Sequence, residues 1–333
     1  MAVPKTTSAN HSRIGFLDLA PSQGDFAAAV IDGMSRPQKS LPCAFFYDEL
    51  GSALFDRICE QPEYYPTRTE QAILDRVAAP IAAMLGPGVQ LVELGSGSSR
   101  KVRTLLDRLV NPLSYVGIDI SRDHLRRSCD QLAADYPWLE VMALCADYLR
   151  DVPVPPPQAG IPRRRVGFFP GSTLGNFTPA EAEGFLARWR DTLRFGGVEG
   201  GGMLIGIDLR KDPAILEAAY DDAAGITAAF NLNLLGRINR ELDGTFAPAH
   251  FRHMALWDGE RSCVSMYLVS RRDQIVRAAG QRFAILEGEP IHTEDSHKYS
   301  IEGFQSLARR AGYRPAAVWT DPRALFSLHW LEA

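Results

Sequence analysis

The residues best placed to do chemistry in this chain are a glycine pair and a set of acids at the ends of short apolar runs. Val92-Glu93-Leu94-Gly95-Ser96-Gly97-Ser98-Ser99 closes the first of these runs. Glycines directly after a strand let the backbone turn tightly and approach a ligand with no Cβ in the way. Asp119 lies twenty-four positions beyond Gly95, at the end of the next run. A carboxylate there can accept from both hydroxyls of a ribose. Asp147 follows the third run and is placed to accept from an adenine amino group. The third glycine of a G-x-G-x-x-G turn is replaced by Arg100, so a pyrophosphate turn is not specified. Glu93, just before the loop, would repel a pyrophosphate and suit a cationic sulfonium. The pattern predicts an S-adenosylmethionine site in preference to a dinucleotide site.

Other polar residues allow two readings each. Asn176 follows a fourth apolar run, at the sheet edge where ligands bind, or it satisfies loop backbone groups. Tyr220 falls on a helical face and could be core. Met266 alternates within a strand and fits a pocket wall or a core position equally. Thr293-Glu294-Asp295-Ser296 has the composition of a helix cap or turn. Tyr65 reads as packing between lobes. His250-x-x-His253 has metal-ligand spacing but no evident third ligand, so no metal is expected.

These residues require a scaffold, and the hydrophobic periodicity supplies one. Strands are expected at Val89–Leu94, Tyr115–Ile120, Leu139–Cys145, Arg165–Phe169 and Met203–Leu209, with helices between them. Thr178-Pro179-Ala180-Glu181 is a helix start. The alternation implies a doubly wound, mostly parallel sheet covered on both faces. It ends in an antiparallel hairpin, around Ala316–Trp319 and Phe326–Leu331. Residues 212–239 read as one helical stretch, and Asp258-Gly259 as the turn of a second hairpin. The expected division is a core of 70–209 with 298–333, a substrate lobe of 20–69 with 210–297, and a weakly ordered lead-in, 1–19.

Composition narrows the class. The chain has 333 residues, is 46% hydrophobic and carries a formal charge of −4. No global basic field is present for nucleic acid. Arg163-Arg164-Arg165 is the only dense basic cluster and reads as a solvated strand entry. No apolar run is long enough to span a bilayer, and the polar N-terminus lacks a secretory core. Five cysteines without a C-x-x-C pair suggest reduced thiols in a cytoplasmic protein. A monomer acting on a small molecule is expected, with no nucleic-acid or membrane partner.

Longer motifs then narrow the substrate. Phe46-Tyr-Asp-Glu-Leu-Gly-Ser52 with Leu54-Phe55-Asp56, Pro62-Glu-Tyr-Tyr-Pro-Thr-Arg68, Gly171-Ser-Thr-Leu-Gly-Asn176 and Ala219-Tyr-Asp-Asp-Ala-Ala-Gly225 are far more specific than a glycine loop. From about Lys39 to the C-terminus the chain resembles the histidine-specific Nα-methyltransferases of ergothioneine biosynthesis, which convert histidine to its betaine, hercynine. The resemblance implies a Rossmann-like class I methyltransferase core with a second α+β lobe. It implies adenosyl contacts at Gly95, Lys101, Asp119, Asp147 and Tyr148. A substrate carboxylate would meet Asn176 and Tyr220, and an imidazole Tyr64, Glu294 and Ser296. Met266 would line the pocket, and Tyr47 would lie near the reacting amine. Asp295 and His297 depart from the family pattern; inside the pocket they would alter side-chain preference. Methylation of a different amino acid is the alternative. A polymer methyltransferase, an NAD-dependent oxidoreductase and an inactive binding protein fit the residues less well.

Overall fold

A strand that is apolar along its whole length must be covered on both faces, and the expected runs satisfy this condition. The computed structural model describes residues 14–19, 25–97, 99–158, 160–194 and 200–333. Its largest sheet contains β1 (Ile14–Asp18), β2 (Val89–Leu94), β3 (Ser114–Asp119), β4 (Glu140–Cys145), β5 (Arg164–Phe169) and β6 (Gly202–Asp208), and ends with β12 (Arg314–Thr320) and β13 (Phe326–Glu332). The strand order is β1-β4-β3-β2-β5-β6-β13-β12. The first six strands are parallel, and the last two form the expected antiparallel hairpin against β6. Every residue of β2 and β6 is buried. The sequence order reverses between β2 and β5, which makes their carboxyl ends the crevice where such sheets bind ligands.

Helices cover this sheet. α3 (Tyr65–Leu85), α4 (Arg100–Leu106) and α5 (Arg122–Asp135) pack on one apolar cluster. A second cluster, on the other face, takes α6 (Pro179–Leu193) and α9 (Ile301–Arg310). The start of α6 is the expected capping box. The Glu181 amide donates to Thr178 Oγ1, and the Thr178 amide donates to Glu181 Oε2 at 2.9 Å. A third cluster gathers α1 (Asp25–Ser35), α2 (Glu49–Cys59), α7 (Pro213–Tyr220) and α8 (Ile226–Glu241). These pack on a three-stranded antiparallel sheet of β7 (Phe251–Asp258), β8 (Cys263–Ser270) and β11 (Pro290–His297). β9 (Gln274–Ala278) and β10 (Gln281–Ile285) form a hairpin beside it.

Four expectations need correction. Part of the lead-in expected to be weakly ordered, Ile14–Asp18, is β1 and pairs with β4; residues 1–13 lie outside the described residues. The single helical stretch from 212 is two helices. Asp222 accepts from the amides of Ile226 at 2.9 Å and Thr227 at 2.7 Å, and Gly225 turns the chain at φ 70°, so a new helix begins there. Thr293-Glu294-Asp295-Ser296 is strand rather than cap. Nor is Arg165 solvated: it is buried, donating to Gln90 Oε1 at 2.8 Å and Thr192 O at 3.0 Å, and burial lowers its pKa to about 10.

Candidate active site

The nucleotide loop is built from backbone that only glycine adopts without strain. Gly95 and Gly97 have φ of 68° and 45°. A methyl group on Gly95 would stand 3.6 Å from the ring of Tyr148, which places that ring directly over the turn. Asp119 fixes the other side. Its carboxylate accepts from Gly97 N at 3.2 Å and Ser121 N at 2.9 Å, leaving a further lone pair on each oxygen. Burial raises its pKa. Asp147 accepts from Leu149 N at 2.9 Å and stays half-buried at the same sheet edge. Glu93 does not face a ligand as the sequence suggested. It lies beneath the loop, accepting from Tyr115 OH at 2.6 Å, and burial pushes its pKa up to about 8.

Lys101 joins this loop to the next one. It donates to Glu70 Oε2 at 2.5 Å, and the same oxygen accepts from Gly171 N at 2.8 Å. Glu70 therefore ties α3 to both the glycine turn and the Gly171–Asn176 segment. Its other oxygen is buried without a partner, against Gly206, where a Cβ would come within 2.0 Å. Sequence reasoning missed Glu70. Its signal was a lone acid inside the apolar stripe of α3.

Gly171–Asn176 forms one wall of a cavity at the carboxyl end of β5. The cavity encloses about 530 Å³ of non-atom space, its mouth included. Tyr47, Tyr64, Asn176, Tyr220, Met266, Glu294 and Ser296 all line it. These are the seven residues expected at the substrate and the reacting amine, and they come from six separate parts of the chain. The β11 register explains the choice on that strand. A bulge between His292 and Glu294 sets Glu294 opposite Met266 on β8, so Glu294 and Ser296 face the cavity. The break after α7 leaves Tyr220 at a helix end, where its ring reaches Tyr64 edge-on, centroids 6.4 Å apart. Tyr47 packs edge-on against Phe55 and Phe230, two lining aromatics to which sequence reasoning gave no role.

Burial shifts the cavity's titrating groups. The Glu294 carboxyl is pushed up to about 7, because desolvation outweighs the charge of Lys298 and a hydrogen bond from Asn176. Burial, then the charge of Glu294, raises Tyr47 well above an ordinary phenol. At neutral pH Tyr47 is therefore a neutral hydroxyl, able to orient an amine but not to act as a phenolate base.

Residues 26–333 match the family profile described as histidine-specific methyltransferase, S-adenosylmethionine-dependent. The chain belongs to this family. It is 41% identical over 303 residues to a histidine N-alpha-methyltransferase of Mycolicibacterium smegmatis, covering 89% of this chain and 91% of that one. It is 37% identical over 306 residues to a histidine N-alpha-methyltransferase of Mycobacterium tuberculosis, covering 90% and 92%. An ergothioneine biosynthesis protein 1 of Neurospora crassa is 33% identical over 301 residues, 87% of this chain but only 33% of that longer protein.

In this methyltransferase, the residues that set the site apart from the expected family pattern turn away from it. Asp295 lies on the opposite face of β11, bonded to Arg261, to Ser265 Oγ at 2.5 Å and to His292 Nε2 at 2.9 Å. Burial would raise its pKa, but these partners outweigh it and hold it low. His297 turns to the carbonyl of Arg261 at 3.3 Å. Neither lines the cavity. Cys263, Asp295 and His297 come within 4.8 Å of one another. The Arg261 guanidinium on Asp295 makes that cluster a poor host for a cation. His253 has both ring nitrogens occupied, by Asn231 Nδ2 at 2.9 Å and the carbonyl of Tyr220 at 2.7 Å, so it braces Tyr220 and has no free nitrogen for a metal.

Tyr65 is more than packing. Its hydroxyl donates to Asp208 at 2.8 Å and accepts from Lys211 at 2.6 Å. Among the described residues, no helix is long and apolar enough to cross a membrane.

Proposed function

We propose that this enzyme transfers methyl groups from S-adenosylmethionine to the α-amino nitrogen of L-histidine, in three rounds that yield hercynine, the first step of ergothioneine biosynthesis. The observation that carries the reading is the single cavity lined by Tyr47, Tyr64, Asn176, Tyr220, Met266, Glu294 and Ser296 beside the glycine turn. The donor contacts in this reading are Gly95, Lys101, Asp119, Asp147 and Tyr148. Asp119 takes the ribose and Asp147 the adenine amino group. We assign residues 70–209 and 298–333 to the donor-binding core, and residues 20–69 and 210–297 to the substrate lobe.

Bound S-adenosylmethionine supplies an activated methyl group with a good leaving group attached. The protein's task is then to position a neutral amine for in-line attack. Asn176 and Tyr220 grip the carboxylate. Glu294 accepts from one imidazole nitrogen and Ser296 meets the other, while Tyr64 packs on the ring. Tyr47 orients the amine lone pair, and the proton released on methylation passes to water. A pocket that hydrogen-bonds both ring nitrogens rejects side chains lacking them, because its own polar groups would be left unpaired. The two outward-facing departures, Asp295 and His297, leave that preference unaltered.

The test is methyl transfer from labelled S-adenosylmethionine across a panel of free amino acids. Histidine should exceed tryptophan and tyrosine by roughly a hundredfold or more in kcat/KM. An equal or higher rate with another amino acid would transfer the assignment to that substrate.

A further inference from the structure

The substrate cavity has a charged floor that the sequence did not show. Lys298 follows β11 and its side chain is fully buried. Its ammonium donates to Tyr220 OH at 2.8 Å and Ser296 Oγ at 2.8 Å, and it pairs with Asp208 at 2.9 Å. All three of its hydrogens are thereby used. Tyr220 OH and Ser296 Oγ also lie 2.7 Å apart.

Proton accounting gives this triangle a direction. Each hydroxyl accepts from Lys298, and one of the two donates to the other. The remaining hydroxyl hydrogen has no partner among these groups, and both hydroxyls line the cavity. The floor therefore offers a donor backed by an ammonium, which suits an anion.

The charge count agrees. Asp208 is fully buried and is shared by two lysines, because Lys211 Nζ also reaches its Oδ1 at 2.6 Å. Burial lowers the Lys211 pKa to about 8, so at neutral pH most of the population carries both cations. Burial would also lower the Lys298 pKa, but Asp208 and Tyr220 outweigh it and hold it above an ordinary lysine. Two ammonium groups share the Asp208 carboxylate beneath Tyr220, and the charge of Asp321 also acts on Lys211. Glu294 balances charge at the imidazole end of the cavity, across Ser296.

We propose that Lys298, assisted by Lys211, is the positioning residue of the carboxylate subsite: it holds Tyr220 as a hydrogen-bond donor and draws the substrate's carboxylate to that end of the cavity. The proposal rests on the assignment of Tyr220 to the carboxylate. A purely structural ion pair would affect melting but not the choice between ligands that differ only in the carboxylate.

The experiment is calorimetric titration of protein saturated with S-adenosylhomocysteine. The ligands are L-histidine and L-histidinol, which keeps the amine and the imidazole but replaces the carboxylate with a hydroxymethyl group. The wild type should prefer histidine by roughly tenfold or more, as expected for one charge-assisted bond. Lys298→Met should bind S-adenosylhomocysteine normally and lose most of the preference for histidine over histidinol, any loss through Ser296 being common to both ligands. Normal S-adenosylhomocysteine binding with the preference intact overturns the proposal. Should Lys298→Met fail to bind S-adenosylhomocysteine, Lys211→Met carries the test, because it removes one of the two cations on Asp208 while sparing the triangle. A severalfold loss of preference there supports the proposal, and an unchanged preference overturns it. A wild type that binds histidine without preferring it to histidinol overturns the carboxylate assignment itself and this proposal with it. One that binds neither ligand overturns the histidine reading.

Discussion

Replacing Glu294 with glutamine should make the free protein more stable and a worse enzyme. The carboxyl is buried and its pKa is pushed up to about 7 from an ordinary 4.5, chiefly by desolvation. The folded state thus holds this proton more tightly than the unfolded chain does. Between pH 4.5 and 7 unfolding releases it, so stability falls as pH rises through that window and levels off above it. The full displacement corresponds to about 3 kcal/mol. Glutamine has nearly the same shape, keeps an acceptor for Asn176 and never ionises. At pH 8, Glu294→Gln should therefore be more stable by about 1–3 kcal/mol, allowing for relaxation and water entry. In a chain of this size that amounts to roughly 2–6 °C in Tm. At pH 5 the two melting temperatures should converge, because wild-type Glu294 is then mostly protonated. Glu93, whose pKa is also raised, is common to both proteins and cancels in the difference. The assay is thermal melting of ligand-free protein at pH 5, 6, 7 and 8. Over the same series the KM for histidine should rise at least roughly tenfold at pH 8, from the loss of a charge-assisted bond. A variant less stable than wild type at pH 8, or a gap that does not close toward pH 5, would refute the reasoning.

Three further substitutions probe other parts of the site. Asp119→Ala should weaken S-adenosylhomocysteine binding by roughly a hundredfold in calorimetry, because it removes the ribose acceptor and the brace on Gly97. Tyr47→Phe should lower single-turnover methyl transfer by roughly tenfold or more with little change in KM; an unchanged rate removes the amine-orienting role. Gly206→Ala should destabilise by about 1–3 kcal/mol in denaturant titration, because its Cβ meets Glu70 Oε1. Gly184→Ala, in mid-helix with nothing near its Cβ, should stabilise by about 0.5–1 kcal/mol and serves as the control.

The parallel core was legible because β2, β3, β5 and β6 are apolar on both faces and end in residues that only a ligand site or a tight turn requires. The capping box at Thr178 and the final hairpin followed from local chemistry. What escaped depends on neighbours distant in sequence. β1 is a short strand that pairs with β4, far along the chain. The break between α7 and α8 needed Asp222 to cap the second helix, and a single helical period hides it. Lys298 looks like an ordinary surface charge, and Glu70 like a stray acid in a helical stripe. Their role appears only when the fold sets Asp208 beside one and Lys101 beside the other. The outward turn of Asp295 hinged on a one-residue bulge at 292–294, which reverses the facing of each following side chain.

The central claim is that the cavity presents the α-amine of histidine to the methyl donor. Fragmentation mass spectrometry of histidine incubated with the enzyme and S-adenosylmethionine tests it most directly. The account predicts successive one-, two- and three-methyl products, with every added group on the fragment that carries the amine and none on the imidazole. A product methylated on the ring, or no product from histidine while another amino acid is methylated, would contradict it.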